Sequence, residues 1–170
     1  MAANSYTIIP VTTDRDLVDT KVLFAAYVGW LDLDLSFQDY QSELDNLAAR
    51  YGPPTGGVFL ARKTETGEPL GCVAFKALHL TPSSPSSCEL KRLYVTPAGR
   101  GLGLGRALGN QAILEARAQG YQVMKLDTLP SRMGAAVKLY EALGFVECEK
   151  YYDTPLPDTK FMELRLALSS

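Results

Sequence analysis

A glycine-rich turn between a strand-like segment and a helix constrains the fold of this chain more than any other feature. Residues 88–108 read CELKRLYVTPAGRGLGLGRAL, with a β-prone half, a Thr-Pro break and then glycines at alternate positions. Glycine lets a backbone approach a ligand closely, and the first N–H groups of the following helix attract an anion. Arg100 and Arg106 flank the turn and add donors that suit phosphate oxygens. The pattern therefore predicts a loop that binds a phosphate-bearing ligand.

Two well-known phosphate-binding loops do not fit this spacing. A P-loop requires a Gly-Lys pair, which occurs nowhere in the chain. The dinucleotide fingerprint G-x-G-x-x-G requires a third glycine where this chain has Leu104, Arg106 or Leu108, depending on which glycine starts it. The pattern that remains is R-x-x-G-x-G, from Arg100 to Gly105, directly after a strand and at the start of a helix.

This loop resembles the coenzyme A loop of the GNAT acetyltransferase superfamily. The LKRLYV segment before it is similar to the fourth strand of that superfamily, and LYEALGF at 139–145 resembles its L-Y-x-x-L-G-F signature. The two motifs are separated by about the length of one helix and one strand, and the resemblance covers most of the chain from about Gly57 onward. It implies an N-acetyltransferase whose cofactor is acetyl-CoA.

Length and composition agree with one enzyme domain, 1–170. The net charge of -2 gives no electrostatic footprint for nucleic acid, and the longest apolar run, 22–31, is about half a membrane span. We therefore expect neither nucleic acid nor membrane as a partner. The three cysteines are scattered without C-x-x-C spacing, which indicates buried thiols rather than a metal site or disulfides. With no signal-peptide pattern at the amino terminus, this predicts a cytoplasmic protein.

The hydrophobic pattern predicts an α/β fold with a GNAT-like mixed central sheet flanked by helices. Strands are expected at 6–11, 57–63, 70–80, 88–95, 122–128, 146–150 and 162–168, and helices at 13–29, 36–51 and 104–119 and from Ser131 onward. The first helix is expected to present one stripe formed by Val18, Val22, Ala25 and Ala26. The strand, helix and strand around the glycine loop predict one parallel crossover within an otherwise antiparallel sheet.

Tyr140 lies on the inward stripe of the last helix, and two roles are open for it. An inward tyrosine is usually a core aromatic residue whose hydroxyl has a hydrogen-bond partner. In the superfamily that the chain resembles, the tyrosine of L-Y-x-x-L-G-F is the general acid that protonates the departing thiolate. That role is chemically reasonable, because a phenol with a pKa of about 10 can give a proton to a thiolate whose thiol has a pKa of about 8.5.

Acetyl transfer also needs N–H donors for an oxyanion and a base for the attacking ammonium group. The resemblance implies donors around Leu93 and Val95, if this strand carries the bulge of the superfamily. Glu89 matches the glutamate base of some members, and strand alternation places it on the face of Leu93. The alternative role for Glu89 is a surface carboxylate paired with Lys91 or Arg92.

The expected cofactor site combines the end of the fourth strand, the glycine loop and the last helix. It consists of Leu93, Tyr94, Val95, Arg100, Gly101, Leu102, Gly103, Leu104, Gly105, Arg106, Met133 and Tyr140. Many superfamily members have an asparagine seven residues before the tyrosine, where its amide bonds the pantetheine arm, but this chain has Met133. We therefore expect cofactor affinity to depend more on the backbone and on the two arginines.

Acceptor-site residues are expected on two loops and at the end of the fifth strand. The resemblance implies Trp30, Asp32, Asp127, Tyr151 and Tyr152, and the same loops also carry Asp34 and Asp153. Asp127 is in addition the second candidate for the general base. The alternative for the loop residues is ordinary solvation, and for Trp30 a place at the edge of the core.

The sequence therefore predicts transfer of an acetyl group from acetyl-CoA to a primary amine of a small molecule. The acidic residues around the expected acceptor site suggest a cationic amine. Two alternatives are a transferase that acts on a protein or peptide amine, and a non-catalytic acyl-CoA-binding module of the same fold. A homodimer is left open.

Overall fold

The computed structural model describes residues 5–32 and 40–166. Its strands are β1 Tyr6–Pro10, β2 Gly57–Lys63, β3 Pro69–Leu78, β4 Ser87–Val95, β5 Val123–Thr128, β6 Val146–Glu147 and β7 Lys160–Arg165. Its α-helices are α1 Asp14–Leu31, α2 Tyr40–Asp45, α3 Leu47–Tyr51, α4 Leu104–Ala118 and α5 Gly134–Ala142, and a 3-10 turn, Pro97–Gly99, precedes α4. Within these ranges no helix is long and apolar enough to cross a membrane.

The strands form one sheet in the order β1-β2-β3-β4-β5-β7-β6. The neighbours from β1 to β4 are antiparallel, as are β5, β7 and β6, whereas β4 and β5 are parallel. The helix α4 makes the connection from β4 to β5, because parallel neighbours require a crossover rather than a tight turn. The predicted mixed sheet with one parallel strand-helix-strand unit is confirmed.

Helices cover both faces of the sheet. On one face, Leu104 and Leu108 of α4 are buried in a core that also contains residues of α5. On the other face, Phe24 of α1 and Tyr51 of α3 pack with Leu60 of β2. Burial of each such side chain stabilises the fold by about 1.5–3 kcal/mol. β4 and β5 pair only at their first residues, and the gap beyond that pairing opens between these two layers.

The amino-terminal helix α1 has the predicted start but not the predicted buried face. Thr13 and Asp16 form the capping box, in which the Asp16 N–H donates to the Thr13 hydroxyl at 3.1 Å. The expected stripe faces solvent, since Val18 and Val22 are 60% and 59% exposed. The side chain of Asp16 instead binds Arg62 of β2 at 2.7 Å, and another stripe of the helix, which includes Phe24, is buried.

Two helix boundaries differ from the predicted ones. The helix expected at 36–51 is interrupted at Asn46 into α2 and α3, and its first residues lie outside the described ranges. The last helix begins at Gly134 rather than near Ser131, because the Ser131 hydroxyl binds the carboxylate of Asp158 and does not cap the helix. The prediction that Tyr140 faces inward on this helix is confirmed by its 7% exposure.

The carboxyl-terminal strands are also shorter than expected. β6 contains only Val146 and Glu147, and β7 ends at Arg165. Because β6 is so short, a long connection between β6 and β7 is available to reach across the sheet toward β4 and β5.

Among the three cysteines, Cys72 and Cys88 are buried free thiols as predicted, whereas Cys148 is only half-buried.

Candidate active site

The site is organised by the divergence of two neighbouring strands. β4 and β5 pair only between Ser87–Glu89 and Val123–Lys125. Beyond these residues the strands separate, so the backbone N–H and C=O groups on that edge of β4 have no ladder partner in β5. Ligands of parallel strand-helix-strand units bind beyond the carboxyl ends of the strands. The gap therefore lies where the glycine loop begins.

Two adjoining cavities occupy this gap. The first, which we call the cofactor cleft, has a volume of about 460 Å³ and lies along Leu93, Val95 and Arg100. The second, the reaction pocket, has a volume of about 40 Å³. Tyr27 and Met133 line both cavities, so the two meet between α1 and α5. A larger cleft of about 560 Å³ lies at the amino-terminal ends of β4 and β5 and contains none of the predicted site residues.

A β-bulge interrupts β4 beside the gap. Cys72 pairs with Tyr94 and Ala74 with Lys91, so two residues of β4, at positions 92 and 93, face the single position 73 of β3. Arg92 takes a left-handed conformation with φ of 58°. Such an insertion unpairs part of the ladder and reorients the strand. The bulge that the resemblance implied is thus present, at the position expected to supply N–H donors.

The bulge changes which residues of β4 share a face. Leu90 and Leu93 both pack in the core below α4, although three positions separate them. Tyr94 packs on the opposite face, in the core below α1. Glu89 is adjacent to Leu90 and points away from that core, so the expectation that Glu89 shares a face with Leu93 is wrong. Alternation with period two holds only on either side of a bulge.

The glycine loop has the backbone geometry that a close-fitting ligand requires. Gly101 and Gly103 have φ of 82° and 75°, and a Cβ at either position would meet no atom within 4 Å. Both glycines are therefore required by the backbone conformation, while the space beside them stays open. Gly99 differs, because a Cβ there would lie 2.7 Å from the Leu70 carbonyl oxygen.

The start of α4 is prepared for an anion. Gly103 is the N-cap residue and provides no side-chain cap, so the first N–H groups of the helix lack a side-chain acceptor. Arg100 and Arg106 are exposed on either side of this turn. The donors, the helix dipole and the two guanidinium groups fit the diphosphate of coenzyme A. The residues present therefore suit the expected cofactor.

The cofactor cleft brings together residues from three separate parts of the chain. Leu93, Tyr94, Val95, Arg100 and Met133, all predicted to contact the cofactor, line it together. Trp30, predicted to contact the acceptor, lines it as well and is 50% exposed, so the structure places this residue beside the expected cofactor residues. Met133 is buried and accepts a long hydrogen bond of 3.6 Å from the Tyr27 hydroxyl to its sulfur.

Tyr140 lines the reaction pocket and packs edge-on against Phe145, with 5.9 Å between ring centroids. Its hydroxyl forms no hydrogen bond with residues 5–32 or 40–166, unlike that of an ordinary core tyrosine. Burial, together with the neighbouring Tyr27 and Asp127, raises the pKa of this phenol well above its ordinary range. Tyr140 therefore keeps its proton at neutral pH and presents it to the pocket.

Two consecutive tyrosines of the β6–β7 connection bind the two candidate bases. The Tyr151 hydroxyl donates to Oε2 of Glu89 at 2.6 Å, and the Tyr152 hydroxyl donates to Oδ2 of Asp127. Both rings pack against Phe161, with centroid distances of 5.2 Å. Burial and the nearby carboxylates raise the pKa of both phenols. The structure thus brings four of the predicted residues into one cluster.

A third cavity, which we call the acceptor cleft, lies on the other side of this cluster. Its volume is about 330 Å³, and its walls include Arg50, Lys76, Glu89 and Lys91 as well as both tyrosines. Lys91 also lines the reaction pocket, so the two cavities adjoin. Glu89 pairs with Lys91 at 3.8 Å, as one alternative from the sequence expected, and with Lys76 at the same distance, but its side chain is only 7% exposed and is not on the surface.

The remaining acidic candidates lie away from the reaction pocket. Asp32 is exposed, has φ of 51° and ends α1, with its N–H donating to the Val28 carbonyl oxygen at 3.2 Å. Asp34 lies outside the described residues. The carboxylate of Asp153 is 93% exposed and binds Lys150 at 2.9 Å, on the rim of the acceptor cleft. The negative charge of this region therefore comes mainly from Glu89 and Asp127.

Comparison with known proteins agrees with this geometry. Residues 24–145 match the model of the acetyltransferase (GNAT) family. This chain belongs to the GNAT family. An uncharacterized N-acetyltransferase of Schizosaccharomyces pombe is 39% identical over 167 residues, which cover 98% of this chain and 99% of that protein. Membership of the family makes the protein an acetyltransferase whose acetyl donor is acetyl-CoA.

Solved structures of GNAT proteins have the same fold. A GNAT acetyltransferase of Staphylococcus aureus superposes with a TM-score of 0.76 at 19% identity, covering 95% of this chain and 99% of that one. An acetyltransferase of Salmonella typhimurium, solved with its cofactor acetyl-CoA, superposes with a TM-score of 0.69 at 24% identity. The two chains are covered to 98% and 97%.

Several residues of this GNAT site were not identified from the sequence. Tyr27 lines both cavities of the gap, and Arg132 lines the cofactor cleft while its Nη1 binds the Leu31 carbonyl oxygen at 3.2 Å. Thr128 lines the reaction pocket, and its buried hydroxyl has no hydrogen-bond partner in the described part of the chain. The only available signal for Arg132 and Thr128 was their position beside predicted residues. No local pattern distinguishes Tyr27 from an ordinary core tyrosine.

Proposed function

We propose that this protein transfers the acetyl group of acetyl-CoA directly to the primary amine of a small molecule, with Tyr140 as the general acid. The observation that supports this most strongly is Tyr140, a buried residue that lines the reaction pocket and whose hydroxyl has no hydrogen-bond partner among the described residues. That pocket shares Met133 with the cofactor cleft and Lys91 with the acceptor cleft. A proton held there is available at the point where both substrates meet.

The donor side is formed by the glycine loop and the end of β4. The thioester of acetyl-CoA supplies the acetyl group in activated form. The first turn of α4, together with Arg100 and Arg106, would hold its diphosphate. The unpaired edge of β4 at Leu93 and Val95 would run beside its pantetheine arm, and Met133 contributes packing only. These positions direct the reactive end toward the reaction pocket.

Proton transfers in this proposal balance at named atoms. Glu89 accepts a proton from the acceptor ammonium, so that the free amine nitrogen attacks the carbonyl carbon. N–H groups beside the bulge, around Leu93 and Val95, hold the carbonyl oxygen while it carries negative charge. The carbon–sulfur bond then breaks, and Tyr140 donates its proton to the leaving sulfur. The nitrogen, which is positively charged after attack, releases its second proton to the Tyr140 oxygen, and Glu89 returns the first proton to water. The products are an N-acetyl amide and the free thiol.

Asp127 is the alternative general base. It lines the same pocket as Tyr140 and raises the pKa of that phenol, whereas Glu89 lies in the adjoining cleft. Glu89→Gln and Asp127→Asn distinguish the two, because removal of the base abolishes the acidic limb of the pH–rate profile. The other substitution lowers turnover without removing that limb.

A small-molecule acceptor is favoured over a protein or peptide by the contacts of the β6–β7 connection. Tyr151 and Tyr152 reach across to β4 and β5 and bind Glu89 and Asp127. These contacts close one side of the acceptor cleft, where an extended peptide would need an open path. The same contacts give no support to a non-catalytic module, since they hold Asp127 in the pocket of Tyr140 and Glu89 in the adjoining cleft.

The test combines binding with turnover. Calorimetry with acetyl-CoA is expected to show binding, and thiol release with a panel of primary amines is expected to identify at least one acceptor. Mass spectrometry of the product then locates the acetyl group on nitrogen. Binding of acetyl-CoA without thiol release from any amine or peptide contradicts the proposed transfer and favours the non-catalytic module.

A further inference from the structure

The acceptor cleft carries more positive than negative charge, which acceptance of an amine does not explain. Lys76 and Lys91 lie on neighbouring strands, and each Nζ is 3.8 Å from the same atom, Oε1 of Glu89. The two lysine side chains are only 24% and 12% exposed, and that of Glu89 is 7% exposed. One carboxylate therefore faces two ammonium groups in a partly desolvated cleft.

Further charged side chains surround the two lysines. Arg50 lines the same wall. Burial lowers the pKa of Lys76; the carboxylates of Glu89 and Glu43 oppose this effect, and the charges of Lys91 and Arg50 reinforce it. The only other carboxylate on the walls of this cleft within the described residues, Asp153, is exposed and bound to Lys150. The cleft is therefore suited to a ligand that brings a negative charge.

We propose that the acceptor is an amino acid, whose carboxylate is bound by Lys76 and Lys91 beside the attacking amine. This inference rests on the proposed acetyl transfer and specifies its substrate class. The three side chains complement a zwitterion, because Glu89 faces its ammonium group and the two lysines face its carboxylate. The close spacing of Glu89 and both lysines matches the short link between the two charged groups of an amino acid.

A purely cationic amine, which the acidic residues of the sequence suggested, fits this cleft less well. Its ammonium group would bind Glu89 and thereby compete with both lysines for one carboxylate. The positive charges of Lys76 and Lys91 would then repel it in a region of reduced dielectric constant. A carboxylate on the acceptor reverses the sign of that interaction.

The first experiment compares acceptors that differ by one carboxylate. Thiol release from acetyl-CoA is measured with the common amino acids and with the amine that each gives by loss of its α-carboxylate, such as phenylalanine and 2-phenylethylamine. We expect at least one amino acid to exceed its decarboxylated counterpart in kcat/KM by roughly 10-fold or more, the usual effect of a hydrogen-bonded charged group.

The second experiment removes each lysine separately. In Lys76→Gln and Lys91→Gln, kcat/KM for the amino acid is expected to fall by roughly 10-fold relative to that for the decarboxylated amine, because the amino acid loses a partner for its carboxylate while the amine loses a repulsive charge. Lys63→Gln, at the exposed end of β2, is the matched control and should change neither value. Melting curves of each variant establish that it is folded before its kinetics are compared.

The outcomes separate this inference from the proposed function. Equal turnover of amino acids and decarboxylated amines overturns the amino-acid acceptor and leaves acetyl transfer intact, as does a preference for amines that carry phosphate instead. A preference that persists in both lysine variants also overturns it. Acetyl-CoA binding without turnover of any amine contradicts acetyl transfer itself, and the acceptor assignment then fails with it.

Discussion

Nη2 of Arg92 lies 2.9 Å from Oε2 of Glu43, and Nε of the same guanidinium group lies 3.0 Å from that oxygen. The two side chains are 4% and 2% exposed, and the Tyr51 hydroxyl donates to the other oxygen of Glu43. Because Arg92 is the left-handed residue of the β4 bulge, this buried ion pair connects the bulge to α2. The proposed N–H donors beside the bulge thus depend on a helix from the other layer.

Removal of the Glu43 charge should therefore affect both stability and turnover. Glu43→Gln leaves the Arg92 charge without its carboxylate in the interior, and we expect the free energy of unfolding to fall by about 3 kcal/mol. We also expect kcat to fall more than the affinity for acetyl-CoA, because the bulge loses its support. Urea unfolding and steady-state kinetics measure both quantities. Glu65→Gln, on the exposed turn between β2 and β3, is the control and should change neither.

Replacement of Tyr140 by Phe removes the proposed general acid and little else. We expect kcat to fall by roughly 10²- to 10⁴-fold, with acetyl-CoA affinity within about twofold and stability unchanged, because the hydroxyl has no hydrogen bond with described residues to lose. Tyr121→Phe is the matched control, since Tyr121 is equally buried and its hydroxyl donates to the Thr55 carbonyl oxygen at 2.5 Å. That variant should lose about 1 kcal/mol of stability and keep its activity. The opposite pattern would assign Tyr140 to the core alone.

The pH dependence of turnover tests the same residue in another way. Burial, Tyr27 and Asp127 raise the pKa of Tyr140 above its ordinary value of 10.0, so the phenol remains protonated up to that pH. We therefore expect no decline of kcat from loss of the Tyr140 proton between about pH 7 and pH 10. The measurement is the kcat profile with a saturating acceptor. A falling limb in this range that is absent from Tyr140→Phe would show that the phenol ionises there.

The glycine loop is tested by the same substitution at two glycines that have similar backbone conformations, one in the loop and one outside it. Gly103→Glu introduces a carboxylate at a left-handed residue before the first turn of α4, and we expect acetyl-CoA to bind more than about 10-fold more weakly. Gly67→Glu is the matched control, because Gly67 has φ of 78°, equally open surroundings and a place in the β2–β3 turn. Both variants carry the same backbone strain of about 1–3 kcal/mol. Calorimetry should therefore show a loss of binding only for Gly103→Glu.

The parts of this protein that could be predicted from sequence are those encoded locally. The spacing of glycines from Gly99 to Gly105 requires particular backbone conformations, and the periodicities of β4 and α4 define a parallel crossover. The inward position of Tyr140 also follows from helical periodicity alone. Such features depend on neighbouring residues in the chain, and for that reason the fold class and the outline of the cofactor site could be anticipated.

The parts that escaped prediction depend on contacts between distant residues. The orientation of α1, which exposes Val18, goes with contacts to distant residues such as the ion pair between Asp16 and Arg62, 46 positions apart. The bulge at Arg92 exists only in the pairing of β4 with β3, so alternation assigned Leu93 to the wrong face. Lys76 joins the acceptor cleft because it pairs across the sheet with Glu89, and no pattern within its own strand marks it.

The pair formed by Asp16 and Arg62 leads to a prediction about stability and pH. Burial alone would raise the pKa of Asp16, but hydrogen bonds from Arg62 and from the N–H groups of Thr12 and Thr13 outweigh it, and the pKa lies below the ordinary value of 3.8. A carboxyl group whose pKa is lowered in the folded state contributes its full stabilisation at pH values above its pKa in the unfolded state. This contribution is lost as the pH falls below 3.8 toward the folded value.

We therefore expect Asp16→Asn to lower the free energy of unfolding by about 1–3 kcal/mol at pH 7, and by less at about pH 3, below the unfolded pKa of 3.8, where protonation favours the unfolded state. Urea unfolding at both pH values measures the difference. Asp14→Asn, at an exposed acidic residue in the same first turn, is the control and should cost at most about 1 kcal/mol. If the Asp16→Asn difference is the same at both pH values, the ionised carboxylate is not what holds α1 to β2.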